Sequence, residues 1–241
     1  MTLLNRPHPP LKIILGLSLW GILFASFTSC SLSSVITVHK DNSADVAVTV
    51  AWKKPLSAYW SDLRELDASL PPQPLEAKAV RSALEKASNL DASPLQNPHV
   101  QASQQSVKLS FHWSAAPQTK VWGLELTPNP SGDTLSLRWN RKTLEHWLNT
   151  TTYARSEALS ALLPDSHTTS TQLANNLAYA LGSYSENAQA LVEGSYVELV
   201  IKLPRPVKTL EGKATYQGNL VTCRWPLTDF LTQSETLTVT Y

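Results

Sequence analysis

This sequence predicts an α+β fold, a mostly antiparallel sheet of about seven or eight strands with two to four helices packed on one face. Three observations lead there. Several stretches alternate apolar and polar residues with a period of two, as Val107, Leu109, Phe111 and Trp113 do against Lys108, Ser110 and His112. Others carry apolar residues at helical spacing, as Leu173, Leu177 and Leu181 do. Prolines and short Asn/Asp/Ser clusters separate the two kinds of segment, where a chain must turn. Alternation with one polar side marks an antiparallel sheet with a wet face, and a helical stripe needs a surface to rest on.

In chain order, the first segment is an address rather than part of the fold. Arg6 and Lys12 precede an uncharged apolar run from Ile13 to Phe27. A positive n-region followed by an apolar h-region is the layout of a secretory signal, and the run is shorter than the about 20 residues a spanning helix needs. It ends in Phe27-Thr28-Ser29-Cys30. Small residues before a cysteine resemble the lipobox of bacterial lipoproteins, although that family usually has an aliphatic residue where Phe27 stands. The resemblance implies cleavage after Ser29 and acylation of Cys30, with palmitate-like chains. Residues 1–29 are then a cleaved signal peptide, and 30–241 a single aqueous domain tethered to a membrane. A plain signal-peptidase site and an uncleaved anchor are the alternatives. Two or three acyl chains hold durably where one holds only marginally.

Ser31 to Trp52 reads as a β-hairpin turning at Lys40-Asp41-Asn42-Ser43, with Val46, Val48, Val50 and Trp52 alternating after it. Pro55 to Leu70 fits a short helix through Leu56, Tyr59, Trp60, Leu63 and Leu66, broken by Pro71-Pro72. Leu75 to Leu90 is a second helix, with Val80 and Leu84 on its apolar stripe. Asp91 to Gln104 is polar, holds Pro94 and Pro98, and reads as a loop. Three alternating runs ending in Trp113, Leu126 and Trp139 read as a meander. Short helices are expected within 140–149 and 156–163. Thr169-Ser170-Thr171-Gln172 fits a capping box, and the helix it opens ends at Gly182. The C-terminal part returns to strands over Val197–Leu203, Lys213–Gln217, Leu220–Trp225 and the last residues.

Within residues 203–239, Leu203-Pro204, Val207, Glu211-Gly212, Gly218-Asn219, Val221, Trp225-Pro226-Leu227 and Leu237-Thr238-Val239 resemble the C-terminal pattern of LppM-type bacterial lipoproteins. That resemblance implies an exported α+β domain beside a membrane, with an acyl lipid as ligand. It transfers no ligand residue to this chain.

Removing Arg6 and Lys12 with the signal leaves 18 basic residues against 19 acidic ones, near neutrality and without a run of like charge. That excludes nucleic acid as the expected partner, since phosphate contacts need a clustered cationic face. Seven of the eight tryptophans follow Cys30. Such rings fill β-protein cores or line apolar sites. The second cysteine, Cys223, alternates with Val221 and Trp225 and reads as a packed thiol; it pairs with Cys30 only if Cys30 carries no lipid.

Signatures of catalysis are not legible: there is no GxSxG, HExxH, SxxK, GxxxxGK or CxxC. His39, His99, His112, His146 and His167 are scattered without metal-ligand spacing. The expectation is a non-enzymatic lipoprotein of the cell or outer membrane, outside the cytoplasm, with no cofactor or metal. One reading has it hold an apolar ligand, with Thr169–Gly182 as a lid against the sheet hinged at Thr168–Ser170 and Ser183–Ser185. The other has it act as a structural or protein-interaction lipoprotein, with Leu177 and its neighbours closing a dry core.

Overall fold

The structure, a computed structural model, describes residues 30–68, 70–88, 95–114, 124–129, 132–139, 164–165 and 167–241. The expected signal peptide over 1–29 and the helices expected within 140–149 and 156–163 lie outside them. The strands are β1 (Cys30–Val38), β2 (Ala44–Trp52), β3 (Leu95–Ala102), β4 (Ser106–Trp113), β5 (Leu124–Asn129), β6 (Gly132–Trp139), β7 (Tyr196–Lys202), β8 (Thr209–Glu211), β9 (Thr215–Gln217), β10 (Leu220–Pro226) and β11 (Glu235–Thr240). The helices are α1 (Lys54–Leu66), α2 (Ala77–Ser88), α3 (Ser170–Leu181), α4 (Ala188–Glu193) and α5 (Leu227–Thr232).

The α+β class stands, and its strands divide between two sheets. Seven form a sheet in the order β3-β4-β2-β1-β7-β10-β9. Four more form a second sheet, β5-β6-β11-β8. Among the described residues every pairing is antiparallel except β1 with β7, which run parallel from Ser31↔Tyr196 to Thr37↔Lys202. The expected meander is therefore corrected. β4 pairs with β2 and β3, while β5 and β6 pair with each other in the second sheet. Alternation alone reports a half-buried strand and carries no address for its partner.

The N-terminal hairpin anchors the main sheet. Its strands pair from Cys30↔Trp52 to Val38↔Ala44. The turn is set by short polar side chains: Asn42 takes a φ of 64°, a left-handed conformation that Asn tolerates. Asp41 Oδ1 accepts from the Ser43 backbone N–H at 3.0 Å and from its hydroxyl at 2.7 Å.

The segment read as a loop is in fact β3. It lies at the edge of the sheet, where Pro98 removes a donor at little cost. Its pairing with β4 shifts register between Gln96 and His99, and Asn97 takes a φ of 52°. A bulge of this kind lets a proline-bearing, polar segment join a sheet that its composition disguises.

One continuous core joins both sheets and the helices. Val48, Val50, Trp52, Val107, Leu109, Ile201, Val221 and Cys223 face it from the large sheet, Leu135, Leu237 and Val239 from the small one. Each such aliphatic side chain contributes about 1.5–3 kcal/mol on full burial. α1 buries Leu56, Trp60 and Leu63, and the Trp60 indole donates to the Pro71 carbonyl at 2.9 Å. Leu66, expected on that stripe, ends the helix and is 82% exposed. α2 packs on β3, where the Arg81 guanidinium donates to the Val100 carbonyl at 3.2 Å.

The C-terminal chain stitches the sheets together, passing from β7 to β8 in the small sheet, back through β9 and β10, then through α5 to β11. The β9–β10 hairpin turns on Gly218, φ 61°, and Asn219, whose side chain donates to the Leu203 carbonyl at 2.7 Å. Glycine first in a two-residue loop matches the twist of a hairpin.

Candidate functional site

Cys30, the expected lipid attachment site, opens β1 opposite Trp52. The exposed Lys53 and Lys54 follow Trp52 at that end of the sheet. Nine residues of β1 at about 3.3 Å each separate it from the far end by about 30 Å.

Cys223 is wholly buried on β10, and burial pushes its thiol up to about 12. The thiolate is the reactive form of cysteine, so this group packs rather than reacts.

α3 opens with the expected capping box. The Thr169 hydroxyl accepts from the Gln172 N–H at 3.2 Å, and the Gln172 carbonyl oxygen accepts from the Thr169 N–H at 2.9 Å. Gly182 follows the helix in right-handed geometry, φ −57°, so its lack of a side chain is not what ends the helix. Leu173, Leu177 and Leu181 are at most 1% exposed and belong to the common core. α3 packs on α4, α5 and α1. Beyond it, the Tyr184 hydroxyl donates to Asp62 of α1 at 2.5 Å, which pushes the phenol up to about 12, and its ring meets Tyr59 edge-on. The segment Ser183–Ser185, read as a hinge, is thus tied to a neighbouring helix.

A shallow cleft lies where the two sheets meet α5, lined by Leu137, Trp225, Phe230 and Leu237, with the Lys213–Glu235 ion pair at its rim. Its free volume is about 20 Å³, close to the space of one water. The buried Trp225 indole N–H has no hydrogen-bond partner among the described residues.

At the end of the sheet away from Cys30, three polar side chains meet that are far apart in the sequence. Asp45 stands directly opposite His112 in the β2–β4 register. His39 closes the β1–β2 turn on the other side of Asp45, its backbone N–H donating to the Ser43 carbonyl at 2.8 Å. The His112 ring lies with Nδ1 2.8 Å from Asp45 Oδ1, and the His39 ring with Nε2 2.9 Å from Asp45 Oδ2. The ring centroids are 6.2 Å apart with planes inclined by 32°. Hydrogen bonds from His112 and then His39 hold the Asp45 carboxyl below its usual range. Two imidazole nitrogens with one carboxylate oxygen are a donor set suited to a transition-metal cation such as zinc. His99 stands apart, on β3 beside Gln101.

No family model matches the chain, and no curated protein matches it significantly. Among solved structures it is similar to the folded domain of LppM from Mycobacterium tuberculosis, determined by NMR, at 12% identity over 89% of this chain and 91% of that one, with a TM-score of 0.40. Among the described residues no helix is long and apolar enough to cross a membrane.

Proposed function

We propose that this chain is an exported lipoprotein of the cell envelope, anchored through acylated Cys30, whose domain works through its surface rather than by catalysis. The observation that carries the reading is the position of Cys30. The residue that ends the signal-like segment in sequence is also the first residue of β1. A lipid there leaves no linker, so the Cys30–Trp52 end of the sheet would rest on the bilayer. Lys53 and Lys54 at that end suit anionic headgroups, at about 1 kcal/mol each near such a surface.

Burial of Leu173, Leu177 and Leu181 supports a closed core over a held acyl ligand. The cleft at Trp225 supports the same choice, since ligand pockets commonly run to about 300–1,000 Å³.

The test is metabolic labelling of the full-length chain with a palmitate analogue in a bacterial host. Wild type should incorporate label and partition into detergent. Cys30→Ala should do neither and accumulate as precursor. Normal processing and partitioning of that variant would remove the proposal.

A further inference from the structure

We infer that His39, Asp45 and His112 form a binding site for one divalent transition-metal cation, zinc in the first instance, at the end of the sheet away from Cys30. This goes beyond the anchoring reading and does not depend on it. The three residues come from the β1–β2 turn, the start of β2 and the end of β4. Their ligating atoms, Nε2 of His39, a carboxylate oxygen of Asp45 and Nδ1 of His112, all lie within 4.8 Å of one another.

Dimensions decide whether a cation fits. Zinc binds imidazole nitrogen at about 2.0–2.1 Å and carboxylate oxygen at about 2.0–2.2 Å, which puts neighbouring ligands about 3.3–3.5 Å apart around a tetrahedral ion. Here His39 Nε2 lies 2.9 Å from Asp45 Oδ2 and His112 Nδ1 lies 2.8 Å from Oδ1, the two oxygens of one carboxylate. Seating an ion opens each nitrogen–oxygen pair by about half an ångström and brings three ligand atoms that lie within 4.8 Å of one another to that common spacing, movements that side chains at a partly exposed surface can make. The backbone needs no rearrangement, because the Asp41–Ser43 hydrogen bonds already fix the turn and the ladder already fixes Asp45 against His112.

The proton balance is simple. Without metal, Nε2–H of His39 and Nδ1–H of His112 donate to the two carboxylate oxygens. With metal, each ring carries its proton on the other nitrogen and offers a lone pair where it had donated a hydrogen. The rings exchange tautomer and the carboxylate exchanges two hydrogen bonds for a cation. An imidazolium would release a proton on binding. The side chains of Asp45, His39 and His112 remain 60%, 40% and 32% open to solvent, leaving room for water to complete the shell, as in open three-ligand zinc sites.

The experiment is titration of the full-length chain, purified in detergent without a polyhistidine tag, with Zn²⁺ and with Co²⁺. Calorimetry should find one equivalent of Zn²⁺ bound at about 10 µM or tighter, and Co²⁺ should acquire a visible absorption band of nitrogen ligation. The double variant His39→Gln/His112→Gln should lose affinity by more than about tenfold while melting like the wild type in the absence of metal. His112→Gln alone, at the more structured end of the cluster, serves if the double variant melts early. His99→Gln should bind as the wild type does. Absence of stoichiometric binding, or binding that survives substitution of both histidines, overturns the inference.

Discussion

Gly212 packs directly against the backbone of Thr236: a Cβ added at Gly212 would overlap the Thr236 carbonyl oxygen and lie 3.2 Å from the Leu237 Cα. The contact occurs where the chain leaves β8 beside β11. Gly212 also has a φ of 110°, outside the range that L-residues adopt comfortably. Close approach and backbone conformation therefore require the same residue at the crossing between the sheets.

Gly212→Ala should cost about 2 kcal/mol or more, through left-handed strain and displacement of β11. Gly218→Ala is the control. Gly218 is left-handed too, at 61°, but its added Cβ meets nothing within 4 Å, so only the conformational cost of about 1 kcal/mol applies. Urea unfolding midpoints of the two variants compare them directly. Equal losses would contradict the close approach.

Cys223 makes a prediction about alkaline pH. Burial disfavours the thiolate, so the folded chain holds the thiol proton more tightly than the unfolded chain does. The stability this contributes is complete below the ordinary thiol value of 9.0 and is lost as pH rises from there toward about 12. Cys223→Ala should lower stability at neutral pH by about 1 kcal/mol yet flatten the decline above pH 9. The thiol should resist bulky labelling reagents in the folded protein and react in urea. Rapid labelling of the native protein would show that Cys223 is accessible.

Elements with local signals were legible in the sequence, and those defined by distant partners were not. The hairpin around Asp41–Ser43, the alternation of β4, β7 and β10, and the Thr169–Gln172 box all lie within a few residues, where spacing and turn chemistry speak directly. β3 was hidden because Pro98 and the bulge at Asn97 look like a loop until an edge position explains them. β8 has three residues and α5 six, too short to show a period. The division into two sheets has no signature, because strands of both alternate alike. The histidine cluster was hidden for the same reason. Asp45 and His112 are 67 residues apart, and only the β2–β4 register unites them. The signal that does exist is local: His39 and Asp45 flank a turn, six residues apart.

The capping box of α3 is testable by single substitution. Thr169→Ala removes the hydroxyl that accepts from the Gln172 N–H and leaves that donor to water. The expected loss is about 1 kcal/mol. Gln172→Ala should cost less, since the Thr169 N–H and hydroxyl that donate to Gln172 Oε1 lie at the exposed start of the helix and turn to water. Thermal or urea unfolding orders the two, and a larger effect at Gln172 would contradict the assignment of Thr169 as the cap.

Leu177 separates a core helix from a lid. It is fully buried, two residues from Tyr179, which is 90% exposed on the same helix. If α3 closes the core, Leu177→Ala creates a cavity among packed side chains and should cost about 2–5 kcal/mol. Tyr179→Ala, on the solvent side, should change stability by no more than about 0.5 kcal/mol. A lid would behave otherwise. Its leucines would leave the core when it opened, Leu177→Ala would cost little, and the change would appear in binding of a fluorescent acyl probe. The tie from Tyr184 to Asp62 and the packing of α3 on three other helices oppose such opening. The expected result is a large loss of stability at Leu177 with no saturable binding of the probe by wild type or variant. Saturable binding by the wild type, weakened in a stably folded Leu177→Ala, would restore the lid.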